Sequence, residues 1–253
     1  MTRIIACVSG KGGAGKTTLV ANIGTAIAEI GKDIIVVDTN LTTPNLGIHL
    51  GVPLYPTTLH DVLKGHASIK DAIYEHDSGL KVIPAGLSMR DLRGADIRDL
   101  SNTLLDLLGN AEIIMLDSAA GLGREALTAM ETADEILIVT NPDLPSVTDA
   151  LKAARLAEQT GTKIIGAVIN RATGKPHELT KFEIQSMLEN IDILATIPED
   201  ISVQRALSRR TPVINHSPKS PAAHKMRSIA AQLVGYEYKI PIPWYRRILL
   251  LRR

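Results

Sequence analysis

The chain has 253 residues, 45% of them apolar and only 3% aromatic, so its core must be built from Ile, Val, Leu and Ala, with room for one α/β domain or two small ones. The formal net charge is +1, but Lys239, Arg246, Arg247, Arg252 and Arg253 carry +5 with no acid after Glu237, which leaves −4 on residues 1–238 and argues against a globally basic nucleic-acid binder. The single cysteine, Cys7, excludes an intrachain disulfide and suits a reduced cytosol; no apolar run is long enough to span a bilayer, and the N-terminus reaches a lysine-bearing loop too soon for a signal peptide.

In chain order, an apolar run at 4–8 leads into SGKGGAGKTT at 9–18, and a helical pattern covers 17–30. Strand runs follow at 34–37, 81–83, 113–116, 135–139, 163–169 and 193–197, with helical patterns at 97–108, 124–132, 146–159, 179–189, 201–208 and 221–234. The strands are near-continuous apolar runs, as expected where helices cover both faces of a sheet. Their alternation with helices predicts βαβ units and an α/β fold with one doubly wound, mostly parallel sheet. No repeat or linker precedes Gly235, so the reading is one domain over 1–234 and a proline-containing connector with a tail over 235–253.

Residues 10–17 fit G-x-x-x-x-G-K-[ST] in the strand–turn–helix setting that makes such a loop a phosphate cradle. Gly10, Gly12, Gly13, Ala14 and Gly15 let backbone N–H groups face phosphate oxygens at a helix N-terminus. Lys16 is expected to reach the β- and γ-phosphates and the Thr17 hydroxyl to ligate Mg²⁺, with Thr18 beside it. Asp38 and Asp117 end apolar strands at the carboxyl edge of the sheet, where a hard carboxylate suits the Mg²⁺ shell.

Six segments in order resemble the MinD/ParA class of deviant Walker A P-loop ATPases, and within it the MinD branch: the loop at 10–17; Val37-Asp38-Thr39-Asn40-Leu41 with Asn45-Leu46-Gly47; Leu116-Asp117-Ser118-Ala119-Ala120-Gly121; Thr140-Asn141-Pro142-Asp143; Val168-Ile169-Asn170-Arg171; and Ile197-Pro198-Glu199-Asp200. The match covers residues 2 to 234 and implies a P-loop NTPase (SIMIBI-type) fold with ATP and Mg²⁺. By resemblance, Lys11 is the signature lysine that reaches the partner's ATP across an ATP-dependent homodimer, a cation supplied in trans. Asn170 and Arg171 resemble the adenine-reading pair, and Pro198 and Glu199 the segment that closes on the base. Asp143 and Asp149 fall where the class places its dimer face. Asn40 departs from the class, which has an aspartate there to orient the attacking water; an asparagine cannot accept a proton, so slow hydrolysis is expected.

In the tail, a helical wheel from Pro243 puts Trp244, Tyr245, Ile248, Leu249 and Leu251 on one face, with Arg246, Arg247 and Arg253 opposite. It resembles the class's C-terminal membrane-targeting segment in position and character. The resulting expectation is an ATP-gated switch, peripheral on the inner face of the cell membrane, that positions or recruits a regulatory or cargo protein. The alternatives are a ParA-type DNA-partition ATPase, which the charge balance disfavours, and a scaffold that holds ATP without turnover. A cluster-carrying branch of the same fold needs cysteine pairs that this chain lacks.

Overall fold

The structure is a computed structural model and describes residues 2–52 and 54–239. Among these the chain forms β1 (Arg3–Val8), α1 (Lys16–Glu29), β2 (Ile34–Asp38), α2 (Leu46–His49), α3 (Leu59–Leu63), β3 (Tyr74–Glu75), β4 (Lys81–Ile83), α4 (Leu100–Leu105), β5 (Ile113–Asp117), α5 (Arg124–Thr132), β6 (Glu135–Thr140), α6 (Leu144–Thr160), β7 (Lys163–Ala172), α7 (Lys181–Met187), β8 (Ile193–Pro198), α8 (Ile201–Ser208), α9 (Val213–His216) and α10 (Pro221–Leu233). The eight strands make one sheet in the order β3-β4-β2-β5-β1-β6-β7-β8. All pairs are parallel except β3 with β4.

The doubly wound architecture follows from the strand period of two. Ile4, Ala6 and Val8 of β1, with Ile114 and Leu116 of β5, face a core built with α4, α5, α6 and α7. Ile5 and Cys7, with Ile113 and Met115, face a second core built with α1 and α10. Both faces are therefore apolar, as the unbroken hydrophobic runs predicted.

Several elements differ from the sequence expectation. Residues 97–108 do not form one helix: a 3₁₀ turn, Ile97–Asp99, capped by the Asp96 carboxylate, precedes the short α4. The α6 helix starts earlier than 146 because the Asp143 carboxylate caps it and Pro145 tolerates the first turn. Asn170 and Arg171 lie inside β7 rather than after it. The short α2, α3, α9 and β3 carry too few residues for a periodicity to register. Among the described residues, no helix is long and apolar enough to cross a membrane. The tail positions Trp244, Tyr245, Arg246, Arg247, Ile248, Leu249 and Leu251 lie outside the described residues.

Candidate active site

β1 delivers the chain to the carboxyl edge of the sheet, and residues 9–15 turn there before α1 begins. Glycine is required at two points of this turn. A Cβ on Gly10 would lie 2.3 Å from the backbone of Asp149 on α6, so only glycine lets the loop lean on that helix. Gly15 has φ of 95°, and its Cβ would lie 2.2 Å from Asn170 Nδ2 on β7. Gly15 is also the N-cap of α1 and supplies no side-chain cap, which leaves first-turn N–H groups for another acceptor. A cleft of about 460 Å³ opens over the loop, lined by Gly12, Gly13, Gly15, Lys16, Thr17 and Thr18.

Lys16 is only 7% exposed. Its Nζ donates to Ser9 Oγ at 2.8 Å, and that hydroxyl donates to the Lys11 carbonyl at 2.8 Å. Burial lowers the Lys16 pKa, and the nearby Asp117 carboxylate opposes the shift. A desolvated ammonium held within the loop suits a strongly anionic ligand, whose charge replaces the lost hydration.

Asp38 and Asp117 are each 1% exposed and face each other in register across β2 and β5. Asp38 is saturated: one carboxylate oxygen accepts the Asn40 N–H at 3.2 Å, and the other accepts Asn45 and Leu46 N–H at 3.1 and 3.0 Å. Neither oxygen of Asp117 has a donor within hydrogen-bond geometry. Burial pushes the Asp117 pKa up, and the Thr17 hydroxyl and Lys16 ammonium pull it back only in part. The Asp38 pKa is also raised, first by burial and then by Asp117, against the pull of its three amides. The sequence put both carboxylates in one metal shell; the structure distinguishes them, with Asp38 pinning the loop after β2.

Lys11 does not line the cleft. Its Nζ lies 3.3 Å from an Asp143 carboxylate oxygen in the same chain. Asp143 also takes the Ser146 N–H at 2.9 Å and the Ser146 hydroxyl at 2.6 Å. Burial works to raise the Asp143 pKa, but the Ser146 donors and Lys11 outweigh it and hold it below the usual carboxylate range. Asp149 pairs with Lys152 at 3.0 Å.

Asn40 lines the cleft, but its amide is spent on its own loop. Its oxygen accepts both the N–H and the hydroxyl of Thr43 at 3.1 Å, and its Nδ2 donates to the Thr43 carbonyl at 2.8 Å. At the far end of the cleft, Arg171 Nε pairs with Glu199 at 2.8 Å, with Pro198 beside them. Arg171 adopts a φ of 60°, unusual for a side-chain-bearing residue. Asn170, expected to read a base edge, donates its Nδ2 to the Ala14 carbonyl at 2.8 Å and so braces the loop from β7.

A family model described as "ParA: NUBPL iron-transfer P-loop NTPase" matches residues 1–234. The chain belongs to the ParA family of P-loop NTPases. An uncharacterised ATP-binding protein of Methanocaldococcus jannaschii is 41% identical over 94% of this ParA-family chain and 90% of its own length. The septum site-determining protein MinD of Thermotoga maritima is 31% identical over 84% and 81%. Among solved structures, MinD of Pyrococcus horikoshii complexed with Mg-ADP superposes with a TM-score of 0.89 at 35% identity, covering 92% of this chain and 96% of that one. The MinC:MinD cell division complex of Aquifex aeolicus gives 0.82 at 30% identity, over 95% and 98%. These place the chain in the MinD/ParA class of ATPases, with an α/β P-loop NTPase fold.

The iron transfer in the family description finds no thiolate ligand in this ParA-family chain. Its single cysteine is sealed in β1, and burial pushes its thiol pKa up, away from the metal-binding form. Sequence reasoning assigned no role to three groups that build the site. Ser9 holds Lys16, Thr43 ties up Asn40, and Ser118 donates its hydroxyl to the Cys7 carbonyl at 2.8 Å. Each of these sits within three positions of a residue the motifs do single out.

Proposed function

We propose that this chain is an ATP-gated switch of the MinD kind. It binds Mg-ATP at the loop over residues 10–17, pairs with a second copy, attaches to an anionic membrane through its tail and recruits a partner protein. The observation that carries the reading is the buried Asp117 carboxylate, which has no donor to either oxygen and stands beside the Thr17 hydroxyl and Lys16. Such an orphaned pair of hard oxygens fits a hydrated Mg²⁺, held through Thr17 and Asp117, better than any role inside the protein alone. A bound Mg²⁺ supplies charge neutralisation between the phosphate oxygens. The chain's own residues do the rest. Gly12, Gly13 and the first turn of α1 offer N–H donors, Lys16 supplies the buried cation, and Arg171 with Glu199 borders the end assigned to the base.

Lys11 would act in trans. Its pairing with Asp143 is solvent-accessible on both sides and worth at most about 1 kcal/mol. That is weak enough for the ammonium to exchange its carboxylate for a partner's phosphates. Asn40 limits turnover, because its oxygen already has two Thr43 donors and no carboxylate replaces it. This reading is an ATPase with a slow chemical step and a long-lived ATP dimer. Each tail cation near an anionic surface adds about 1 kcal/mol, and two tails on one dimer raise avidity about 10²-fold.

The test is sedimentation with anionic liposomes and light scattering. Wild type should dimerise and sediment with ATP but not ADP, Lys16→Ala should do neither, Lys11→Ala should bind ATP as a monomer, and deletion of residues 244–253 should dimerise without sedimenting. ATP-independent sedimentation, or an unaffected Lys16→Ala protein, would sink the reading.

A further inference from the structure

A second groove, of about 720 Å³, lies at the opposite end of the sheet from the loop, where the strands begin. Its walls include Leu104, Leu105 and Leu108 after and within α4, together with Thr2 and Ile4 of the first strand region. Leu105 and Leu108 are 60% and 48% exposed, which is costly for leucines that no neighbour covers. The same groove is lined by Asp33, Glu112, Glu131 and Asp134, and by no lysine or arginine. Asp33 and Glu112 pair with Lys81 and Lys32 at 2.8 Å, whereas Glu131 and Asp134 enter no ion pair among the described residues.

The groove therefore asks for an occupant with apolar side chains and several cations. The sequence from 240 to 253 carries both: Trp244, Ile248, Leu249 and Leu251, with Arg246, Arg247, Arg252 and Arg253. Its attachment is near. The Leu233 carbonyl, at the end of α10, accepts Arg3 Nη1 at 2.7 Å; Arg3 stands between the groove residues Thr2 and Ile4 in sequence, so the helix ends at the same end of the sheet as the groove but on the other face. The chain then turns back, and the Tyr238 hydroxyl meets His224 Nδ1 at 2.7 Å. His224 is nine residues from Leu233, about 14 Å along the helix. The five steps from Lys239 to Trp244 cover up to about 17 Å when extended, enough to return to the level of Leu233, and the nine residues after Trp244 remain to pass round the end of the sheet into the groove.

We infer that this groove is the docking site of the chain's own segment 240–253, which is held there in cis until an anionic surface competes for it. The leucines take the apolar side chains and the carboxylates take the arginines. A tethered segment faces the groove at an effective concentration near millimolar, so a weak intrinsic contact suffices. The same features would serve a membrane, so docking and membrane attachment exclude one another; that consequence, unlike the docking itself, rests on the membrane reading above.

Trp244 is the only tryptophan in the chain and reports the contact directly. In lipid-free full-length protein, its emission should be at short wavelength and its quenching by acrylamide slower than in a peptide of residues 240–253, at every protein concentration. Leu105→Arg and Glu131→Lys, both at exposed positions, should each move the emission to longer wavelength and speed quenching toward the peptide value at an unchanged melting temperature. Three results would overturn the inference: wild-type quenching as fast as the peptide; shielding that neither variant relieves, which puts the cover elsewhere; and shielding that fades on dilution, which assigns it to a second copy. With no lipid present, a failure of liposome binding would sink the membrane reading and leave this one standing.

Discussion

Asp38 and Asp117 end neighbouring strands, face each other in register and are equally buried, yet their surroundings are opposite. The chain after β2 folds back so that three of its N–H groups converge on Asp38. The chain after β5 spends its donors elsewhere. The Ser118 hydroxyl goes to the Cys7 carbonyl, and the Gly121 N–H goes to the Ser9 carbonyl at 3.1 Å. Strand register therefore decides where a carboxylate stands, and the loop that follows decides what it is free to bind. The saturated carboxylate holds the loop after β2, and the one beside Lys16 keeps both oxygens without a hydrogen-bond partner.

Four substitutions break or sharpen that contrast. The largest effect is expected at Asn40, within the segment that Asp38 pins. Asn40→Asp should raise steady-state phosphate release about 10²–10⁴-fold, the usual worth of an acid–base or positioning contact, at unchanged ATP affinity. A wild type already as fast would show that another group orients the water. Next, Asp117→Asn should weaken Mg²⁺-dependent nucleotide binding about 10–100-fold in calorimetry, while the ligand-free protein melts at the same temperature or higher, because a buried charge is lost. Asp38→Asn should do the reverse. An amide group facing converging N–H donors costs about 1–3 kcal/mol, read as a lower denaturant midpoint. If Asp38→Asn melted normally but lost Mg²⁺ dependence, the two carboxylates would share one role after all.

The smallest effect concerns Asp143. Asp143→Ala removes the α6 cap, about 1 kcal/mol, and releases Lys11, so ATP-dependent dimerisation should strengthen modestly as stability falls. Because the folded pKa of Asp143 is depressed, its contribution is present above the unfolded carboxylate value of about 4 and is lost as pH falls through the folded one. The gap in melting temperature between wild type and variant should therefore close in acid. A gap that persists there would assign the loss to packing instead of charge.

The layered α/β fold was legible because both sheet faces are covered, which leaves the strands as unbroken Ile and Val runs, and because α1, α6 and α10 are long enough to show a helical period. The loop at residues 10–17 was legible because its letters match a short motif that falls within one strand–turn–helix unit. What stayed hidden depends on contacts between distant segments. Nothing near Asn170 in sequence indicates that its amide reaches Ala14, 156 residues away. Nothing near Lys11 points to Asp143 as its partner in the same chain. The segment after β2 showed its residues but not its hydrogen bonds, so Asn40 read as a departure from the class's aspartate, with no sign that its oxygen is already engaged by Thr43.

The glycine-rich loop leans on two foreign elements, α6 at Gly10 and β7 at Gly15. It is therefore not a portable module. Grafted onto another strand and helix, the ten letters SGKGGAGKTT would keep their sequence and lose both buttresses, and with them the shape that orients their N–H groups. For the same reason, a change on α6 near Asp149, far along the chain and outside any motif, would deform the loop as surely as a change within it. In a survey of natural variants, silence inside the motif would not mean an intact site.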